Sequence, residues 1–115
     1  MLRILVVDRE FLVAMEVETV LTEALACEVK IATPRTYAMD LEQDLFDVVV
    51  IDSALVRGES EDAALRLRAC GAGLVFTTLS IDDMDGLKGW DGIAVVAKPF
   101  DDHHLVDAVK NAARL

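Results

Sequence analysis

The stretch Ile4-Leu5-Val6-Val7-Asp8 decides the fold, because four apolar residues in a row are followed at once by a carboxylate. Two later runs have the same form: Val48-Val49-Val50-Ile51 precedes Asp52, and Ile93-Ala94-Val95-Val96-Ala97 precedes Lys98. Continuous β-branched runs are typical of strands buried on both faces of a parallel sheet. Ligands bind beyond the carboxyl ends of such strands, so these runs predict a site that contains Asp8, Asp52 and Lys98.

Strand-like and helix-like periods alternate along the chain, which is typical of repeated βα units. The pattern predicts five strands and five helices. The strands are predicted at residues 4–7, 27–32, 46–51, 74–77 and 93–97, and the helices at 11–25, 36–43, 60–71, 82–89 and from 101 onward. The third helix is predicted to have Ser60 at its capped start. The fourth is predicted to be short or irregular, because it contains Gly86 and ends near Gly89 and Gly92.

Composition predicts one folded domain over residues 1–115, with 54% hydrophobic residues. No apolar run approaches the roughly 18 residues that span a bilayer, and no signal peptide precedes the first strand, so we expect a cytoplasmic protein without a membrane association. A net charge of -10 opposes the phosphate backbone, which argues against direct nucleic-acid binding. Cys27 and Cys70 lack metal-type spacing, and we expect free thiols rather than a disulfide.

Two other groups of polar residues are predicted not to form metal sites. His103 and His104 are adjacent at the start of the last helix and cannot share a helical face, so we expect them at the surface. Asp82, Asp83 and Asp85 precede Gly86 in a pattern that weakly suggests a calcium loop, but apolar Ile81 and Gly92 stand where ligands are required. Calcium binding is therefore rejected.

Four anchors in order resemble the receiver domain of bacterial two-component response regulators, over essentially the whole chain. They are the first strand with Asp8, Asp52 after the third strand, Thr77 at the end of the fourth, and Lys98-Pro99-Phe100. The resemblance implies a stand-alone receiver with a flavodoxin-like (βα)5 fold and strand order 2-1-3-4-5.

The resemblance also implies a chemistry for these residues. Asp52 corresponds to the carboxylate that accepts a phosphoryl group from a phosphohistidine, Lys98 to the fixed cation and Thr77 to the switch hydroxyl. Magnesium is held in the family by an acidic pair, the acceptor carboxylate and a backbone carbonyl, which here implies Asp8, Asp52 and Ala54. The Lys98–Pro99 bond is expected to be cis, which directs Lys98 into the pocket.

Arg9 departs from the family pattern because it stands where an acidic magnesium ligand is expected. Asp8 and Asp52 are then balanced by Arg9 and Lys98, so the pocket has no net charge and we expect weak magnesium binding. Arg9 is interpreted either as a built-in counter-ion for Asp52 or a phosphoryl group, or as a solvent-exposed side chain. Glu10 either turns inward as a replacement ligand or is a solvated acid in the first turn of the first helix.

Two hypotheses for the function follow. In the first, the chain is a phosphorelay switch that is phosphorylated on Asp52 by a histidine kinase or phosphotransfer protein and then changes its affinity for a downstream protein. Its only chemistry is then self-phosphorylation and self-dephosphorylation of Asp52, so it is not an enzyme otherwise. In the second, it is a degenerate receiver that docks partners without phosphorylation. A phosphatase based on Asp8 is rejected because Glu10 replaces the second aspartate that it requires.

Two further expectations concern the switch itself. Val95 stands where the family often has a Tyr or Phe whose ring moves with the threonine. We therefore expect that this movement of an aromatic ring, which marks the switched state, is lost. The bistable element is predicted in the loop after Thr77 and the glycine-containing fourth segment, because glycine disfavours one regular helix there. The fifth strand and the last helix are expected to form the face that partners read. Sequence leaves open whether the chain forms a homodimer.

Overall fold

The computed structural model describes residues 1–57 and 61–113. Its centre is a five-stranded parallel sheet in the order β2-β1-β3-β4-β5. The strands are β1 (Leu2–Val7), β2 (Cys27–Ala32), β3 (Val48–Asp52), β4 (Gly73–Thr78) and β5 (Ala94–Ala97). The predicted α/β doubly wound fold, with strand order 2-1-3-4-5, is therefore confirmed.

Side chains alternate between two apolar cores, one on each face of the sheet. On one face Val6, Val50 and Val75 pack with helices from the two ends of the chain, and on the other face the neighbouring residues Ile51 and Phe76 pack with the middle of the chain. Because both faces are covered, the central strands need apolar residues at every position. This explains why β1 and β3 appear in the sequence as unbroken apolar runs.

The helices differ more from the prediction than the strands do. They are α1 (Phe11–Ala24), α2 (Tyr37–Gln43), α3 (Ser53–Arg57), α4 (Glu61–Ala69) and α5 (Asp102–Ala112), with a 3-10 helix at Ile81–Asp85. A separate helix, α3, starts directly after β3 and was not predicted. The predicted cap at Ser60 lies outside the described residues.

The fourth segment is irregular, as predicted. After the 3-10 helix the backbone passes through Gly86, Gly89 and Gly92, whose φ angles are 110°, 87° and 80°. Residues with a side chain rarely adopt such angles, so this stretch cannot continue as an α-helix. Trp90 attaches the segment to the core, because its ring packs edge-on against Phe76 with centroids 5.4 Å apart.

Several smaller predictions can be compared with the structure. The third strand begins at Val48 rather than residue 46, and the fourth extends to Thr78. Asp101 caps α5 by accepting a hydrogen bond from the His104 amide at 3.1 Å, and His103 and His104 are exposed, as predicted. Both cysteines are free thiols. Within the described ranges, no helix has the length and apolar character needed to cross a bilayer.

Candidate functional site

Asp8 and Asp52 lie side by side where two neighbouring parallel strands end. In the β1–β3 register Val7 lies opposite Ile51, so the next residue of each strand is a carboxylate at the same level. Both side chains are deeply buried, with Asp8 7% and Asp52 2% exposed. The structure therefore brings together the two carboxylates that the apolar runs predicted.

Lys98 bridges the two carboxylates from the end of β5. Its Nζ donates a hydrogen bond to Asp8 Oδ2 at 2.8 Å and lies 3.4 Å from Asp52 Oδ2. The Lys98 side chain is only 7% exposed, so water screens these charges little. The Lys98–Pro99 peptide bond is cis, as the resemblance implied.

Arg9 provides a second cation at Asp52. Its Nε donates to Asp52 Oδ2 at 2.9 Å, yet 53% of the side chain remains exposed. The hydrogen bond and the charge of Asp52 raise the pKa of Arg9. Both interpretations from the sequence are therefore partly right, since the guanidinium pairs with Asp52 while the side chain reaches toward solvent.

The partners of Asp52 determine its ionisation. Burial raises the pKa of this carboxyl, but the Ala54 amide, Arg9 and Lys98 together outweigh burial and hold the pKa below its ordinary value. The Ala54 amide donates to Asp52 Oδ1 at 3.0 Å. Asp52 is therefore an anion near neutral pH.

Glu10 does not supply a replacement ligand through its carboxylate in this structure. Glu10 is exposed, which confirms the alternative of a solvated acid, but it is the N-cap of α1 rather than a residue of its first turn. Its backbone amide instead donates to Asp8 Oδ1 at 2.8 Å. Both oxygens of Asp8 and both oxygens of Asp52 thus already accept hydrogen bonds.

This donor set does not fit a magnesium ion. Among the side chains that the structure describes, no group of three or more acidic, histidine or cysteine residues is arranged to hold a metal. Asp8 and Asp52 are neutralised by Lys98 and Arg9, whereas magnesium requires carboxylates with uncompensated charge. The ligand set implied by the resemblance, which also includes Ala54, is therefore not supported by the charges at the site.

A small cleft opens over these residues, with a volume of about 250 Å³. Its lining includes Arg9, Asp52 and Lys98, together with Pro99 and Phe100. Pockets for cofactors and drug-sized ligands are generally larger, from about 300 to 1,000 Å³. The cleft is therefore small for a nucleotide, and Glu10 and Glu16 also line it.

Two threonines end β4, and the structure distinguishes them. Thr77 lies opposite Asp52 in the β3–β4 register. Thr78, the next residue, was not predicted to be part of the site, and its hydroxyl donates to Asp83. Val95 is buried in the same core as Phe76 and Trp90, so an aromatic ring does stand near this position, although on a different residue.

Sequence reasoning also missed Ser53 and Arg57, which contact Asp83 together with Thr78. The helix that carries both residues has only five residues, which is too short to produce a hydrophobic period. Asp83 was considered only as part of a rejected calcium pattern. The sequence did contain one signal for this cluster: Asp83 is an acidic residue in a segment that lacks a regular helical pattern.

Similar proteins were found among solved structures and not by comparison of sequences. No protein-family model matches the chain, and no curated protein sequence matches it. The chain is similar to a receiver domain of a Francisella response regulator, with 20% identity, a TM-score of 0.75, and 99% of this chain and 98% of that chain covered.

Two further solved structures agree. A receiver protein of Sinorhizobium medicae shows 21% identity and a TM-score of 0.76, with 98% of this chain and 94% of that chain covered. A chemotaxis response regulator of Vibrio cholerae shows 20% identity and a TM-score of 0.77, with 97% of this chain and 98% of that chain covered. The chain therefore has the fold of response regulator receiver domains.

Proposed function

We propose that this chain is a phosphoryl-accepting receiver module in which Asp52 is the acceptor and Arg9 takes the place of a metal ion. The observation that carries the proposal is the burial of Asp52 between two cations, with Arg9 at 2.9 Å and Lys98 at 3.4 Å. An anionic carboxylate flanked by cations can attack phosphorus while the charge on the phosphoryl oxygens is neutralised.

The proposed reaction is transfer from a phosphohistidine. An Asp52 oxygen bonds to phosphorus, the nitrogen–phosphorus bond of the donor breaks, and the released imidazole keeps the electron pair and takes a proton. The product is an acyl phosphate, which carries one more negative charge than the carboxylate at neutral pH. Lys98 and Arg9 offset that charge.

Arg9 is suited to this role because more than half of its side chain is exposed and its contact with Asp52 is made through Nε alone. The guanidinium can leave the carboxylate and bind phosphoryl oxygens in the cleft through its remaining donors. Thr77 is proposed as the hydroxyl that donates to the phosphoryl group, since it lies opposite Asp52.

The partners are proposed from this chemistry. The donor is a histidine kinase or a phosphotransfer protein, and the output is a change in affinity for a downstream protein. The net charge of -10 supports a protein rather than a nucleic-acid target. We propose a cytoplasmic phosphorelay component whose only chemistry is phosphorylation and dephosphorylation of its own Asp52.

The test is phosphorylation by a small phosphodonor such as acetyl phosphate, with magnesium and with a chelator, read by intact mass. We expect an adduct on the wild type in both conditions and none on Asp52→Asn. Asp107→Asn, which changes an exposed carboxylate on α5, is the matched control and should be modified like the wild type. Modification that requires magnesium would overturn the role given to Arg9.

A second candidate is a docking module that works without phosphorylation. It is favoured by the hydrogen bonds that already satisfy both oxygens of Asp52, from Arg9 and the Ala54 amide. No adduct under either condition, together with equal partner binding by the wild type and Asp52→Asn, would favour this candidate.

A further inference from the structure

A second buried carboxylate lies near the carboxyl ends of β3 and β4, outside the Asp52 cleft. Asp83, in the 3-10 helix, is 1% exposed. Its Oδ2 accepts hydrogen bonds from the Ser53 hydroxyl, at 3.1 Å, and from the Thr78 hydroxyl. Its carboxylate also pairs with the guanidinium of Arg57. We call these four residues the Asp83 cluster.

The cluster fixes three segments of the chain relative to one another. Ser53 and Arg57 belong to α3, Thr78 ends β4, and Asp83 belongs to the 3-10 helix. A carboxylate buried this deeply is destabilising unless its charge is paired and its oxygens are hydrogen-bonded. Moving α3 removes the cation and one hydroxyl from Asp83, and moving β4 removes the other hydroxyl, so a shift of either segment weakens the hold on the 3-10 helix.

One side of the Asp83 cluster is connected directly to Asp52. Ser53 is the next residue in the chain, and Thr78 follows Thr77, which lies opposite Asp52 in the sheet. A group added to Asp52 therefore lies beside both segments that supply the hydroxyls of the cluster.

The other side is connected to the irregular fourth segment. The 3-10 helix that carries Asp83 continues into residues 86–93, and this stretch is held to the core by Trp90. The guanidinium of Arg68 covers the Trp90 ring at 3.8 Å from its centroid, and its Nη2 donates to the Gly89 carbonyl at 2.6 Å. Asp83 and Trp90 are thus two separate attachments of residues 81–93, beside the buried Leu87.

We propose that Asp83 is a positioning residue that couples the state of Asp52 to residues 81–93. The proposal rests on the proposed function, in which Asp52 receives a phosphoryl group. In the unmodified protein Asp83 holds the hydroxyls of Ser53 and Thr78. Asp52 shares the sheet face of Val50 and Thr78 that of Phe76, so a change at Asp52 reaches these hydroxyls through the backbone rather than by direct contact. Loss of the Asp52 charge or gain of a phosphoryl group shifts the strand ends next to Ser53 and Thr78, and a carboxylate whose donors shift holds the 3-10 helix less firmly.

The test compares amide hydrogen exchange across residues 81–93 in four proteins without a phosphodonor: the wild type, Asp52→Asn, Asp83→Asn and the double variant. We expect Asp83→Asn to accelerate exchange there on the order of tenfold or more, because Arg57 loses its charge partner. Coupling predicts that Asp52→Asn changes exchange in this segment when Asp83 is present and not when it is replaced. Equal effects of Asp52→Asn in both backgrounds would overturn the proposal.

Asp82→Asn is the matched control, since Asp82 is the exposed neighbour of Asp83 and should leave exchange unchanged. If Asp83→Asn does not fold, as judged by circular dichroism, Ser53→Ala replaces it in the same comparison. This variant removes a single donor, so it should cause a smaller acceleration in the same segment and weaken the effect of Asp52→Asn. No weakening in that comparison would overturn the proposal.

Intact mass after treatment with acetyl phosphate separates this proposal from the proposed function. No adduct on the wild type contradicts phosphorylation of Asp52, while the four-protein comparison still decides whether Asp83 couples the two regions. An adduct on the wild type with equal effects of Asp52→Asn in both backgrounds supports the receiver function and overturns the coupling.

Discussion

Asp52 and Asp83 are both buried carboxylates near the carboxyl ends of neighbouring strands, but their partners differ in kind. Asp52 faces two cations, Arg9 and Lys98, and borders a cleft. Asp83 faces one cation and two neutral hydroxyls.

These partners indicate which carboxylate is suited to chemistry. Cations at Asp52 can transfer their hydrogen bonds to phosphoryl oxygens and gain from the added charge, so the site remains favourable when the carboxylate is modified. The two hydroxyls at Asp83 belong to α3 and β4, and their loss changes how these segments are arranged around the 3-10 helix. This difference supports the proposal that Asp52 is the reacting group and Asp83 the positioning group.

The largest effect is expected at Lys98, which contacts both carboxylates of the cleft. Lys98→Met leaves Asp8 and Asp52 without their shared cation, and we expect the free energy of unfolding to fall by about 3 to 5 kcal/mol. Urea denaturation measures it. Lys88→Met, which changes an exposed lysine, should alter stability by less than about 0.5 kcal/mol. Equal stabilities of the two variants would contradict the description of Lys98 as a buried charge partner.

The next largest effect is expected at Arg9 and concerns the rate of modification. Arg9→Ala removes one of the two cations that neutralise the phosphoryl group, so we expect adduct formation to slow on the order of a hundredfold. Arg9→Lys keeps the charge but loses the planar donors, and should lie between Arg9→Ala and the wild type. Time courses of intact mass measure both. A wild-type rate in Arg9→Ala would remove Arg9 from the reaction.

Reversing the charge at the same position tests the balance of charges in the cleft. Arg9→Asp adds a third carboxylate beside Asp8 and Asp52, leaving Lys98 as the cation that contacts this pair, and we expect magnesium affinity to rise by at least about tenfold. Isothermal titration calorimetry measures it. Arg35→Asp, which adds the same charge at an exposed position, should bind magnesium like the wild type. Similar affinities in all three proteins would show that Arg9 does not exclude the metal.

These regions also differ in how far sequence could predict them. Asp8, Asp52 and Lys98 each follow an apolar run, and parallel strands necessarily bring their carboxyl ends to one edge, so the cleft could be predicted from local patterns. The partner of Arg9 could not be predicted in this way. A long side chain can reach either another residue or solvent, and only the position of Asp52 in the fold decides between them.

The Asp83 cluster could not be predicted because its members belong to three short segments with no common period. Thr78 was treated as the residue after the strand, although β4 includes it. The helix containing Ser53 and Arg57 is fixed by burial against the sheet rather than by a repeating apolar face. Local patterns thus predicted the strands and the cleft at their ends. They did not predict the short segments whose backbone is determined by tertiary contacts.

A smaller effect is expected from pH, and its sign follows from the depressed pKa of Asp52. A carboxyl whose pKa is lower in the folded state contributes stability above its ordinary value of 3.8 and loses it as pH falls through the folded value. The difference in unfolding free energy between the wild type and Asp52→Asn should therefore become smaller as pH is lowered below 3.8. Urea denaturation across a pH series measures it, and a constant difference would contradict the charge pairing at Asp52.

The smallest effect is expected at Arg68, which tests whether Trp90 or Asp83 is the main attachment of residues 81–93. Arg68→Ala removes the cation over the Trp90 ring and the hydrogen bond to Gly89, so we expect about 1 kcal/mol less stability. Arg66→Ala, on the same helix, breaks only an exposed pair with Glu42 and should cost about 0.5 kcal/mol or less. Urea denaturation measures the loss of unfolding free energy in both variants. Because Asp83 is the buried charge, Arg68→Ala should accelerate exchange at residues 81–85 less than Asp83→Asn does, and the reverse order would make Trp90 the principal attachment.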